Sequence, residues 1–455
     1  MKNSATASRV PDPGIRALFE TEARHQAWLD VEAALALAEA ELGIIPDAAA
    51  ADIVRAANLE SLDQARIDEG LKRTGHPLVP LIWELARIAG EDSGHYVHWG
   101  ATTQNITDTG EVLLLARSHR ILLDLLADVL TALADLAERT RGMPAAGRTH
   151  GQHAVPVTFG YKVAVWIDEL ARHGDRLAEA APRLFVCSLG GAAGTFASFG
   201  ADGFDLQARF AARLGLRPMP VPSRTILDHF AEFACLLGML GATSSKLANE
   251  VYTLMKQEFA EAREPVPAGT VGSSTMPQKR NPILAQDIIA AAAEIRALVP
   301  LALEAMQTEH EANRATSLML RNGLARIVEL AGDILARLKL IAEGLTVDAA
   351  RMRANLDLSG GLILAEALML RLGQHIGRQD AHDVIYDATE AAVASGRSFA
   401  ETLAADPKVT AHLSVAEIDA LLDPTAYTGL CADMATEQAR HGRIVAKRLN
   451  QVAPT

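Results

Sequence analysis

Aromatic side chains are scarce in this chain. Phe, Trp and Tyr make up 4% of its 455 residues, so a core has to be assembled from Leu, Ala, Val and Ile. Ala and Leu in such numbers favour helix over strand. Cysteine is scarce too: Cys187, Cys235 and Cys431 are scattered and form no CxxC pair. That argues against a disulfide framework or a zinc site and reads as reduced thiols in a cytosolic protein. No stretch reaches roughly 18 uninterrupted apolar residues, so no membrane span is expected. Residues 1–13 lack the apolar centre of a signal peptide, and a cytoplasmic location is the expectation. A basic excess is also missing. The net charge of −13 argues against a nucleic-acid binder, and it means that an anionic substrate must be drawn in by local cations.

What the chain does contain is helical periodicity. Hydrophobic residues make up 49% and charged ones 22%, as in an ordinary folded protein. Trp28, Leu29, Val31, Leu35, Leu37 and Leu42 fall on one apolar stripe. A second stripe runs from Leu113 through Leu122, Leu126, Val129 and Leu133 to Leu136. Further long runs cover 231–260, 282–307 and 321–344. No run alternates with period two, so strands should be few. The fold class expected is all-α, in three helical domains: 1–108, a central long-helix bundle over 109–345, and a helical cap over 346–455. Ala-rich faces this wide also suggest packing between subunits.

Four polar segments interrupt the helices: Thr74-Gly75-His76, the stretch 95–109, the stretch 148–158, and the loop 272–282. Hydroxyls, amides and imidazoles are denser there than caps and turns require. His95 and His98, and His150 and His153, are spaced i, i+3, but no carboxylate or cysteine stands beside either pair, so no metal is expected. A histidine suits acid–base work better, because its pKa lies near the working pH. The loop Gly272-Ser273-Ser274-Thr275-Met276-Pro277-Gln278-Lys279-Arg280-Asn281-Pro282 packs hydroxyls, a cation and an amide into one short run. Its glycine and prolines suit a backbone that aims several N–H groups at one anion.

These four segments, in order and spacing, resemble the fumarase/aspartase superfamily, in its branch of adenylosuccinate lyase and 3-carboxy-cis,cis-muconate cycloisomerase. The resemblance runs through most of residues 1–320. It implies helical subunits that form a homotetramer with a 20-helix core, no cofactor, and active sites assembled from three subunits around a small dicarboxylate. It further implies β-elimination from a succinyl-type substrate with release of fumarate, through an aci-carboxylate intermediate. On the same grounds Ser273 is the base, and His150 or His76 the general acid. Thr102, Thr103, Gln152, Ser274, Lys279 and Asn281 match residues that hold the substrate. Asn249 matches a polar position on a central helix, and His98 is placed with the substrate-binding group.

Three departures from the pattern bear on the substrate. Many such lyases carry a glutamate seven residues after the loop lysine, where this chain has Gln286, with Asp287 beside it. No Arg-Tyr pair occurs in residues 1–25. The stretch Ile226-Leu227-Asp228-His229-Phe230-Ala231-Glu232 lacks an Arg-Asp pair, and Arg224 is displaced from it. Loss of phosphate-gripping arginines argues against a nucleotide substrate. The alternatives to a fumarate-releasing lyase are a carboxymuconate cycloisomerase, adenylosuccinate lyase proper, and a catalytically silent homologue. The flank 262–264 is expected to be exposed.

Overall fold

Leu and Ala at helical spacing give five long rods in the computed structural model, which describes residues 7–266 and 275–452. A shorter helix precedes them, α1 (Thr21–Glu41). The five are α2 (Thr103–Thr140, 38 residues), α3 (Phe159–Leu184), α4 (Asp228–Leu254), α5 (Ile283–Glu304) and α6 (Arg314–Gly344). The last helix is α7 (Cys431–Leu449).

Most of the rods, though not α4, start where a polar group satisfies backbone N–H groups at the helix end. Asn105 Oδ1 accepts from the Thr102 N–H at 3.0 Å at the head of α2. Thr158 Oγ1 accepts from Tyr161 at the head of α3, and Asn313 Oδ1 from Ala315 at the head of α6. The 231–260 run ends early, at Leu254, and Ala260 turns through a positive φ of 52°.

Cross-helix contacts fix the directions. Asp108 and Asp128 of α2 meet Arg321 and Lys339 of α6, so these two run parallel. Gly238 of α4 faces Val299, and Gly241 faces Ala292 and Ile295, so α4 and α5 are antiparallel. Lys162 of α3 pairs with Glu250 of α4, and His173 with Thr243, again antiparallel. The bundle therefore alternates, with α2, α4 and α6 pointing one way.

Its core is continuous with the N-terminal helices: Ile15, Trp28, Leu29 and Leu35 share one cluster with Leu122, Ile167, Leu237, Ile288 and Ile334. A separate cluster of Leu368, Leu372, Ile385, Phe399, Leu403 and Ile418 forms within the C-terminal segment. The final helix α7 returns to the bundle. Val445 and Leu449 join the main core, and Arg443 pairs with Asp135 and Glu138 of α2.

Strands among the described residues come only as two-stranded pairs. The largest is a hairpin of β1 (Pro144–Thr149) and β2 (Gln152–Thr158), which joins α2 to α3. Its register shifts between Ala146 and Arg148. Its tip residues His150 and Gly151 have φ of 53° and 77°, as a two-residue hairpin turn with both φ positive requires. No helix among the described residues is long and apolar enough to cross a membrane.

The entry of α3 leaves no room beside α2. A Cβ on Gly160 would lie 2.5 Å from Arg141 Cα and 2.8 Å from Ala137 O, and backbone cannot step aside as a side chain can. Gly160→Ala should cost about 1–3 kcal/mol, as overpacking does. The urea midpoint measures it; an unchanged midpoint would mean that the helices separate freely there.

Candidate functional site

The head of α2 gathers the first group of expected site residues. His76 lies between two short helices, and its Nδ1 accepts from the N–H groups of Leu78 and Val79 at 3.3 and 3.2 Å. An accepting Nδ1 places the proton of a neutral ring on Nε2. That atom is 3.4 Å from Thr103 Oγ1 at the start of α2. Thr102 stands one residue earlier, in extended conformation. The approach to it is held by Ser198, whose hydroxyl donates to Gly100 O, and by Asn105, which donates to Ser188 O.

His98 is four residues before Thr102 and adopts a positive φ of 63°, uncommon for a residue other than glycine. Its Nδ1 is 2.6 Å from Oε1 of Glu32, a carboxylate on α1 that is only 1% exposed. Burial works against a charged His98, but the hydrogen bond and charge of Glu32 together outweigh it and hold the pKa above the usual histidine value. Two turns along α1 is Glu39, also 1% exposed, with a buried Oε1 that has no hydrogen-bond partner among the described residues. Burial, and then the charge of Glu32, pushes Glu39 up to about 9.

The second group sits at the far end. His150 and Gln152 are exposed at the hairpin tip, just past the tail of α2. Arg148 anchors that tip. Its guanidinium makes a two-pronged bond with Glu261, at 3.1 and 2.5 Å, and lies over the Phe259 ring. Glu261 is 0% exposed and also accepts from Asn355 at 2.6 Å. Burial, and then the charge of Arg148, holds His153 below the usual histidine range.

Three residues on, the Glu264 carboxylate accepts from the Leu284 and Ala285 N–H groups at 3.0 and 3.1 Å, capping α5. The favourable end of a helix dipole thus receives a negative charge. Burial raises the Glu264 pKa, and these backbone bonds work against the rise. The flank 262–264 is therefore not exposed as expected. Ala262 pairs with Val347, Glu264 is buried under α5, and only Arg263 faces solvent.

Lys279 is exposed just ahead of α5, and Asn281 is half-buried. Ser273 and Ser274 lie outside the described residues. Asn249, near the tail of α4, is exposed and donates to Ser245 O of its own helix. Gln286 is exposed, while Asp287 turns inward to pair with the buried Arg337. Asp287 is thus engaged away from the position of the missing glutamate.

The two groups are not brought together within one chain. At 1.5 Å per residue, α2 holds His76, His98, Thr102 and Thr103 about 55 Å from the hairpin tip, a gap no side chain spans. Arg148, Glu261 and Glu264 were not singled out as site residues from sequence. The only signal was their place beside the polar segments, since burial of a carboxylate cannot be read from its neighbours in the chain. Among the described residues no cluster of three or more His, Cys, Asp or Glu is placed to hold a metal.

A long-helix bundle with polar segments at both ends is the architecture of a known class of lyases, and comparison bears this out. A lyase family profile matches residues 7–297, and an adenylosuccinate lyase C-terminus profile matches residues 361–437. The chain belongs to the fumarase/aspartase superfamily of lyases, in its adenylosuccinate lyase-like branch. It is 40% identical to the N-acetyl-S-(2-succino)cysteine lyase of Enterococcus italicus over 93% of each chain. It is 41% identical to the 3-carboxy-cis,cis-muconate cycloisomerase of Pseudomonas aeruginosa over 91% of each. The solved 3-carboxy-cis,cis-muconate lactonizing enzyme of Pseudomonas putida superposes with a TM-score of 0.89, at 36% identity, over 97% of this chain and 100% of that one.

The Glu39 environment makes stability depend on pH. Its pKa is about 9 in the folded protein against an ordinary 4.5. The folded state thus keeps a proton that the unfolded chain releases, and this group's contribution is full below the lower value and lost as pH rises through the higher one. Glu39→Gln should flatten the stability–pH curve across that window, read as urea midpoints. A variant curve as steep as the native one would count against a protonated Glu39.

Proposed function

We propose that this protein is a cofactor-free, cytoplasmic lyase that eliminates a substituent from a succinyl-type dicarboxylate and releases fumarate. The observation that carries the reading is the 40% identity, over 93% of both chains, to a lyase named for N-acetyl-S-(2-succino)cysteine. The substrate class is a succinate bearing a thioether or amine on the carbon next to one carboxylate.

The reaction needs a base for the proton on the carbon that does not bear the leaving group. Ser273 takes it. The electron pair passes into the adjacent carboxylate as a dianionic aci-carboxylate, which cations and oriented donors in a dry site stabilise. Lys279, Asn281 and Ser274 supply such groups, with Gln152 of the hairpin tip, and Thr102, Thr103 and His98 supply them from the head of α2, while Asn249 borders the substrate. The pair then returns to form the double bond as the carbon–heteroatom bond breaks, and an acid protonates the leaving group. His150 is that acid, at the hairpin tip. His76, with its proton on Nε2 beside Thr103, is the other donor in reach of the chemistry. The exposed Gln286 can orient an imidazole but cannot stabilise its cation as a carboxylate does.

The length of α2 supports assembly across subunits, in a homotetramer with an end of each kind at every site. The domain division proposed from sequence, at 108 and 345, cuts inside the first turns of α2 and just past the end of α6.

A second reading is favoured by two of the comparisons: the cycloisomerase of P. aeruginosa is 41% identical, and the lactonizing enzyme of P. putida superposes with a TM-score of 0.89. That chemistry uses an internal carboxylate as nucleophile and yields a lactone.

Fumarate absorbance separates the readings. A panel of S-(2-succino)cysteine, N-acetyl-S-(2-succino)cysteine, aspartate, adenylosuccinate and 3-carboxymuconate should give fumarate from a succinyl thioether. Ser273→Ala should slow that turnover about 10²- to 10⁴-fold, the usual size of general-base catalysis. Lactone from carboxymuconate, without fumarate from any compound, would select the cycloisomerase. Subunit sharing has its own check. His76→Ala and His150→Ala enzymes, each impaired, should regain activity when unfolded together and refolded as mixed oligomers; no gain in the mixture would place both residues in one subunit's site.

A further inference from the structure

Glu32 is the charged group acting on the His98 ring, and nothing in the elimination itself calls for it. It projects from α1, a helix with no other part in the candidate site, and reaches His98 Nδ1 at 2.6 Å. Both it and Glu39 are 1% exposed. A bare carboxylate is costly to bury and needs a partner. Glu39 meets that cost by staying protonated, and Glu32 meets it by pairing with His98. Glu32 in turn has one ring nitrogen to hold. With Nδ1–H donated to Glu32, Nε2 is the ring atom left without a protein partner among the described residues.

We propose that Glu32 is a positioning residue for the lyase reaction, acting through His98: it fixes the ring so that Nε2–H is presented to a substrate carboxylate at the head of α2. The strained backbone at His98 supports this. A positive φ in a residue other than glycine persists only where the surroundings over-determine it. Here the Glu32 bond on one side and the Gly100–Ser198 contact on the other do so. A histidine oriented by a buried carboxylate is a recurrent device for setting tautomer and basicity. The proposal rests on the functional reading above, in that it assigns His98 to a dicarboxylate.

The test uses the full-length protein with fumarate as the probe. Glu32→Gln keeps the side-chain shape but removes the charge. It should weaken fumarate binding about 10- to 100-fold by calorimetry, by analogy with the loss of carboxylates that orient metal-binding histidines. His98→Gln should weaken it comparably. The double variant should be no worse than His98→Gln alone, because Glu32 acts only through the ring. Nitrogen NMR of the ligand-free protein reads the ring directly: Glu32→Gln should move the His98 nitrogens away from the form protonated on both atoms, while Glu32→Asp restores part of the native signal. Unchanged ring signals, or losses that add in the double variant, would overturn the proposal. If wild type fails to bind fumarate, the functional reading falls, and the NMR arm still decides whether Glu32 governs His98.

Discussion

A helix is a rod of fixed rise, and the rise of α2 governs what this protein can do by itself. Its 38 residues set the hydroxyls and imidazoles of one polar region beyond reach of those at the hairpin. Everything else in the bundle follows that axis. The helix α6 runs parallel to α2 along two ion pairs, and α7 is drawn back onto it through Arg443. Chemistry that needs both ends must bring a second copy alongside, running the other way. The stiffness that keeps the ends apart would also make their placement reproducible in the proposed assembly of copies.

The parts of the fold that were legible in the sequence were those governed by repetition. Leu113 to Leu136 at helical spacing could only be a long amphipathic rod, and α2 is that rod. The hairpin was not legible. β1 begins Pro-Ala-Ala-Gly, without apolar alternation, and a register shift breaks its pattern. Its turn uses His150 at a positive φ, where sequence rules look for glycine or asparagine. Of the candidate site, the polar segments announced themselves by density, and His76 and Thr103 do meet. Glu32 gave no signal. It sits among Leu29, Val31 and Leu35, and its burial depends on what packs over α1 rather than on its neighbours in the chain.

The net charge of −13 gains meaning from where the carboxylates go. Several are inside, and each is accommodated by different physics. Glu261 is neutralised by the fork of Arg148 and an amide. Glu264 lies against the start of α5, where backbone donors are otherwise unpaired. Glu39 gives up its charge, and Glu32 pairs with His98. Compensating them with cations and backbone donors, and protonating Glu39, leaves less unopposed negative charge to repel an anion. Hydrogen bonds made in this dry setting are also strong enough to hold a hairpin or a helix end in one place.

The Glu264 carboxylate has a consequence for how such a protein diversifies. It fastens a point eight residues ahead of the polar loop 272–282 to the residues just after that loop, so the chain on either side is tied to one point of the scaffold. The entropic cost of closing a chain segment grows only with the logarithm of its length, about 0.6 kcal/mol per doubling. Residues can thus be gained or lost between the two anchors while the bundle, the hairpin and the start of α5 stay where they are. Substrate range can then drift within the loop without being tested against the stability of the fold.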